Sequence, residues 1–283
     1  MGLLKETIIE LNRPAILLGN GINLLENTFI DWKALLKKLG GNDIKFEGLT
    51  YNEIYNFIEL KKDDDRKLKN NVALELQSPK KSRLAPHSSF IELMVQYDCP
   101  VLTTNFDLAL ETSKDLESFR ITKKGFTRYY PWDIYSGISQ LKTPIDGFGI
   151  WHIHGMTKYL DSIRLGLTDY MGSVERSRKW IHRGPDSLFR GKDQLYWPGK
   201  DSWLHIWFNM PLIIVGIKLE TQEIFIRWLL IERERYFRKF EVRRRKTVFL
   251  STRNDTRINN FLENLNIKHI TTSSIDHYAL LYS

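Results

Sequence analysis

The strongest constraint on this chain is a set of short apolar runs that show no helical period and stop abruptly at glycine or small polar residues. Ala15-Ile16-Leu17-Leu18 stops at Gly19, and Pro211-Leu212-Ile213-Ile214-Val215 stops at Gly216. Cys99 to Thr104 is a second strand of this kind, with Pro100 tolerated only at its beginning, and Gly147 to His154 is a third. Thr247-Val248-Phe249-Leu250 and Lys268-His269-Ile270 complete the set. Consecutive apolar residues over so few positions are the mark of strands buried on both faces, which is the environment of a parallel sheet.

Helical patterns separate these runs. Lys5 to Asn12 is a short helix stopped by Pro14. Asp31 can cap a helix whose Trp32, Leu35, Leu36 and Leu39 share one face, and Gly40-Gly41 ends it. Tyr51 to Gln77 reads as helical with a break in the charged Lys61 to Lys67 stretch, and Pro86 opens another helix over His87 to Tyr97. Thr221 to Phe240 is long and amphipathic, and Asp255 to Leu265 is the last helix. The aromatic stretch from Tyr170 to Phe208, with Trp180, Trp197, Trp203 and Trp207, shows no clear period. Strands alternating with helices predict an α/β fold: one doubly wound parallel sheet in a single domain over 1–283, with helical insertions at roughly 40–98 and 169–210.

Bulk properties narrow the function. No segment has the ~18 to 20 uninterrupted apolar residues of a membrane helix. Glu6 and Glu10 interrupt the N-terminal apolar stretch, so it is expected to be neither a signal peptide nor, with Glu6 where Ser or Thr is required, a myristoylation site. Cys99 is the single cysteine, which excludes an intramolecular disulfide and a thiolate zinc cage. A cytoplasmic protein is expected. Lys and Arg number 42 against 34 Asp and Glu, for a net charge of +8. The excess gathers in Arg233 to Lys246, which fits either the solvated end of a helix or, with Tyr236, Phe237 and Phe240 among the charges, a surface for nucleic acid or a protein partner.

Three motifs carry candidate chemistry. Gly19-Asn20-Gly21-Ile22-Asn23 follows a strand; glycine there makes a tight turn and lets backbone N–H groups approach a pyrophosphate, while Asn20 and Asn23 add side-chain donors and acceptors. Thr103-Thr104-Asn105-Phe106-Asp107 bunches four polar side chains at a strand end, more than one helix cap needs. Asn105 and Asp107 are expected to hold a carboxamide and neighbouring ribose hydroxyls. In His152-Ile153-His154-Gly155 the period of two predicts both imidazoles on one face, and His154, nearer the carboxyl end, is the expected acid/base residue, with Gly155 leaving room for a ligand. No metal is expected, because no acidic or cysteine cluster completes a ligand set. Gly216 and Lys218 occupy an equivalent turn and fit close approach to a ribose or phosphate. Glu220 and Glu223 are expected on a helix surface.

These motifs, in this order, resemble the SIR2 (sirtuin-like) superfamily, and are most similar to its bacterial branch of NAD-consuming antiphage-defence proteins. The likeness also takes in Asp31-Trp32, Pro86-His87, Leu167-Thr168-Asp169-Tyr170 and Asp276-His277. It implies a Rossmann-like NAD+ pocket in which Asn105 and His154 are the catalytic pair and Asp107 faces the nicotinamide amide. The Gly19 turn, with Asn20, Gly21 and Asn23, would line the phosphates and Gly216 the adenosine side, and Thr104 and Lys218 are further expected cofactor-binding residues. The implied activity is NAD+ hydrolysis to nicotinamide and ADP-ribose in abortive infection, gated by a homo-oligomer or a partner such as an ATPase or a nucleic-acid-guided subunit. Two departures stand out: Asn20 and Asn23 replace the usual Gly-Ala-Gly-x-Ser pattern, and one cysteine cannot build the deacylases' zinc module. The alternative is a sensor that binds NAD+ or ADP-ribose without turnover, or a nucleic-acid-associated subunit of a defence complex.

Overall fold

The computed structural model describes residues 2–25, 29–41, 45–77, 79–190 and 195–272. Its strands are β1 (Ala15–Leu18), β2 (Val101–Thr103), β3 (Glu117–Arg120), β4 (Ile134–Gly137), β5 (Ile150–His152), β6 (Leu212–Val215), β7 (Thr247–Ser251) and β8 (Lys268–Thr271). Its α-helices are α1 (Leu3–Leu11), α2 (Trp32–Gly40), α3 (Tyr51–Lys62), α4 (Asp65–Glu75), α5 (Ala85–Gln96), α6 (Ala109–Lys114), α7 (Leu167–His182), α8 (Trp203–Asn209), α9 (Ile224–Lys239) and α10 (Thr256–Glu263).

All eight strands join one sheet in the order β3-β4-β5-β2-β1-β6-β7-β8. From β5 to β8 every pairing is parallel, whereas β3 and β4 add an antiparallel edge. Counting the parallel strands alone, the spatial order is third, second, first, fourth, fifth, sixth. The chain therefore changes direction across the sheet between β1 and β6, and in open α/β sheets ligands bind outside the carboxyl ends of the strands at such a point.

Alternation along the central strands divides the core. Ile16, Leu18, Val101, Ile213 and Val215 face α1 and α5, where Ile8, Phe90 and Met94 are fully buried. Leu17, Leu102, Ile214 and Phe249 face the opposite layer, built from α7, α8, α9 and α10. Each fully buried Leu or Ile contributes about 1.5–3 kcal/mol relative to exposure. Much of the aromatic stretch belongs to this second layer: Trp203, Trp207 and Phe208 are buried there, with Trp132 and Trp203 packed edge to face at 5.3 Å.

A third cluster sits apart from the sheet faces. Leu35, Leu39, Ile54, Ile58, Leu68 and Val72 join α2, α3 and α4, and Phe106, Ile163 and Leu165 from the loops after β2 and β5 complete it. Local signals explain the helices. Asp31 accepts from the Ala34 N–H at the start of α2, and Thr50 and Glu53 form a reciprocal capping box on α3. Asp63, in the left-handed region at φ 50°, ends α3, and Asp64 caps α4, which accounts for the break in the charged stretch. The Asn52 amide donates to the Gln222 carbonyl, tying this helical unit to the loop after β6.

Candidate functional site

The loops after β1 and β6 are bonded to each other at the crossover. Gly19 N–H donates to Val215 O, and Gly21 N–H donates to Gly216 O, both at 2.9 Å. A Cβ on Gly19 would lie 2.4 Å from Gly216 O, and Gly216 itself holds φ +72°. Glycine is thus required at position 19 by backbone contact and favoured at 216 by its left-handed backbone.

The loop after β2 joins the same assembly. Thr104 N–H donates to Leu18 O at 3.0 Å, and the Asn105 amide nitrogen reaches Gly19 O at 3.4 Å. Asn105 N–H is held by the Thr103 hydroxyl at 3.1 Å, and its Oδ1 has no hydrogen-bond partner among the described residues. Asn20 to Leu24 makes one 3-10 turn that carries Asn23 inward, where its amide nitrogen donates to Asn20 Oδ1 and Asp107 Oδ2, each at 2.8 Å. Asn23 Oδ1 lies 2.8 Å from His87 Nε2, which places the His87 proton on that nitrogen. Burial pushes His87 down to about 4, so it is neutral. Asp107 also accepts from Ala109 N–H at 3.0 Å; burial nevertheless raises its carboxyl above the ordinary range, against the opposing pull of Ala109 and Asn23.

The two histidines of the third motif do not share a face. β5 ends at His152, and Ile153-His154 is already a turn, so the two-residue period has lapsed before His154. His152 turns toward α6: Nδ1 donates to Asn105 O at 2.7 Å, and Nε2 lies 2.8 Å from Glu111 Oε1. Both ring nitrogens face acceptors, which is the pattern of an imidazolium. Burial opposes that charge, but Glu111 and the Asn105 carbonyl hold the pKa above its ordinary value. His152 therefore clamps the Asn105 peptide from behind.

His154 lies in the other layer, edge-on to Tyr170 at 5.2 Å and 6.0 Å from Phe225. Its ring is 2 % exposed, and neither nitrogen has a partner. Burial, reinforced by Arg164, pushes it down to about 3, so the ring is neutral. Gly155 does not leave space for a ligand. At φ +91°, with a Cβ position 2.0 Å from Ser162 O, it serves the close approach of the next loop. That loop brings Arg164 to Asp169 at 3.3 Å and over the Tyr130 ring at 4.5 Å, and Lys69 of α4 reaches the same carboxylate at 3.1 Å.

The structure thus links Gly19, Asn20, Gly21, Asn23, Thr104, Asn105, Asp107 and Gly216 through loops that touch at the carboxyl edge. His154 joins them through the β2–β5 pairing, the neighbouring His152, and backbone bonds from Ile153 to Thr103 O and from Thr157 to Phe106 O. Lys218 is exposed on the loop after β6. Asp276 and His277 lie outside the described residues. Sequence reasoning missed Glu223. It sits at the N-cap of α9, half-buried instead of on an open helix face, and burial followed by Glu220 pushes it up to about 7. Its charge also acts on Tyr170, the ring beside His154. An acid two residues before the apolar Phe225-Ile226 pair, after a glycine turn, was the available signal.

Among the described residues no cluster of His, Cys, Asp and Glu could hold a metal ion, and no helix is long and apolar enough to cross a membrane. No protein-family model matches the chain, and no curated protein matches it.

Proposed function

We propose that the chain is a SIR2-like NAD+ glycohydrolase whose sheet is a Rossmann-like, doubly wound platform for the dinucleotide. The observation that carries this reading is the His154 ring, buried and neutral with both nitrogens unsatisfied, beyond the carboxyl end of a parallel strand. Buried polar atoms are nearly always paired, and an orphaned imidazole at a ligand-binding edge is a group held for a ligand. Asn105 Oδ1, on the adjacent strand's loop, is also without a hydrogen-bond partner among the described residues.

In this mechanism nicotinamide leaves as a neutral group from a cationic ring, so the protein's task is to position the ribose, stabilise the oxocarbenium-like state and admit one water. Asn105 orients the ribose hydroxyls and the water, and neutral His154 accepts the proton. Asp107, with Asn23, faces the carboxamide. Asn105, Asp107 and His154 are all under a tenth exposed, which suits an enzyme that is silent until an oligomer or partner opens it. Depletion of NAD+ in antiphage defence is the role this gating fits.

The depressed pKa of His154 favours one second reading, a sensor that binds NAD+ or ADP-ribose without turnover, because so weak a base accelerates proton transfer poorly. Chromatography of NAD+ incubated with the activated protein separates the two. Nicotinamide release that falls ~100-fold or more in Asn105→Ala and His154→Ala supports hydrolysis. Release equal in wild type and both variants refutes the assignment, and tight binding with no release establishes the sensor.

A further inference from the structure

At the opposite, amino-terminal edge of the sheet a cavity of about 570 Å³ opens between the second half of α9, the start of β7 and the turn before β8. Five cationic side chains line it against two carboxylates. Their pairing is uneven. Arg244 is neutralised by Glu234 at 2.8 Å and by Glu241, and Lys268 leans on Glu10 at 3.7 Å. Arg245 and Lys246 are exposed at the cavity mouth and have no carboxylate partner among the described residues. Arg233, 2 % exposed, is held by neutral groups: the Thr247 hydroxyl at 3.2 Å, Met210 O at 2.7 Å and Trp207 O. Its direct hydrogen bonds are all to dipoles, and the nearby Glu234 carboxylate is already engaged by Arg238 and Arg244, so cations outnumber carboxylates at the cavity wall and an anion would offset them. Burial, and then Arg245, lowers Arg233 to about 9 against the opposing pull of Glu234. The inner wall is apolar, with Phe237, Leu265 and Ile267 facing the same space.

From this geometry we infer that the cavity binds a small organic phosphate of about mononucleotide size, with its phosphates on Arg245 and Lys246 and its apolar body toward Phe237, Leu265 and Ile267. The volume lies within the range of small-molecule sites. The site is separate from the Gly19 loops, because parallel strands place their amino and carboxyl ends on opposite edges.

Calorimetry with ADP, inorganic pyrophosphate and adenosine tests this on the full chain. ADP is expected to bind more tightly than pyrophosphate, adenosine to show no binding, and the ADP affinity to weaken as salt rises. Arg245→Ala/Lys246→Ala, at two exposed positions, should weaken ADP by about tenfold or more, the loss equivalent to one charge-assisted contact. Lys218→Ala, at the exposed position expected to contact the ribose or phosphate in the proposed NAD+ pocket, should leave it unchanged, which separates this cavity from that pocket. Unchanged affinity in the double variant overturns the inference, as does loss in Lys218→Ala alone. A 20-nucleotide single strand that binds, is lost in the double variant and is not displaced by ADP would overturn it in favour of a nucleic-acid surface.

Discussion

His154→Leu should make the ligand-free protein more stable while removing its proposed chemistry. The imidazole contributes two buried polar nitrogens and receives nothing in return, whereas Tyr170 and Phe225 offer an apolar bed for a side chain of similar volume. Removing an unsatisfied buried polar group recovers about 1–3 kcal/mol at neutral pH. A second contribution depends on pH. The ring's pKa falls from 6.5 to about 3 on folding, so this protonation-linked cost is absent above pH 6.5 and folding loses stability as pH drops from there toward 3. At pH 5 that loss is about 2 kcal/mol, from roughly 1.4 kcal/mol per unit over the interval below 6.5. The advantage of His154→Leu should therefore grow from about 1–3 kcal/mol at pH 7.5 to about 3–5 kcal/mol at pH 5. Urea unfolding followed by tryptophan fluorescence measures both. His87 and His205, also buried and each lowered to about 4, keep an acid limb in the variant, so the slope shrinks without vanishing. A destabilised His154→Leu, or a difference that does not widen at pH 5, would mean that the ring has a partner and that the reasoning is wrong.

Glu111→Gln removes one half of a buried pair and leaves the His152 charge uncompensated, so urea midpoints should fall by the equivalent of about 3–5 kcal/mol. In the wild type the raised His152 pKa contributes stability fully below pH 6.5 and loses it as pH rises through the folded value; in Glu111→Gln burial dominates and that dependence should reverse, which midpoints from pH 6 to 9 will show. Gly19→Ala places a Cβ against the Gly216 backbone, where no side chain can yield, and calorimetry should show a Tm lowered by the equivalent of about 1–3 kcal/mol. Glu223 titrates near 7 beside Tyr170; Glu223→Gln should remove a limb near neutral pH from the nicotinamide-release profile, and an unchanged profile would exclude it from proton transfer.

Legibility followed burial. β1, β2, β6 and β7 were readable because residues buried on both faces leave uninterrupted apolar runs, and the Gly19 that ends the first is itself required there. β3 was not, since Glu117-Ser118-Phe119-Arg120 lies at an exposed antiparallel edge, where burial imposes little pattern. α7 escaped for a related reason. Its buried positions include Ser173 and Ser177, and its aromatic contacts reach Trp132 from another element, so the local sequence shows no apolar stripe. The insertion at 40–98 also divides differently from expectation: α5 packs beneath the sheet with α1, and the separate helical unit is α2 to α4. In the basic segment, sequence could not show that Arg233 is buried while Arg245 is open, because that depends on which side of α9 meets α8 and β7.

The site residues were readable as types, but their roles depend on partners that spacing does not fix. Three histidines make the point. His152 meets two acceptors and is held charged; His87 donates to Asn23 and is held neutral; His154 meets none. His152 commits both nitrogens to Asn105 O and Glu111, His87 commits Nε2 to Asn23 and leaves Nδ1 without a partner, and His154 keeps its whole hydrogen-bonding capacity. The α2–α4 unit is fastened to α7 by Lys69 on Asp169 and to the loop after β6 by Asn52 on Gln222. Asp169 lies in the first turn of α7 beside Tyr170, the ring edge-on to His154, and Gln222 precedes Glu223. In the proposed gating, a partner that pulls on α3 or α4 acts on the segments next to the residues proposed to move the proton.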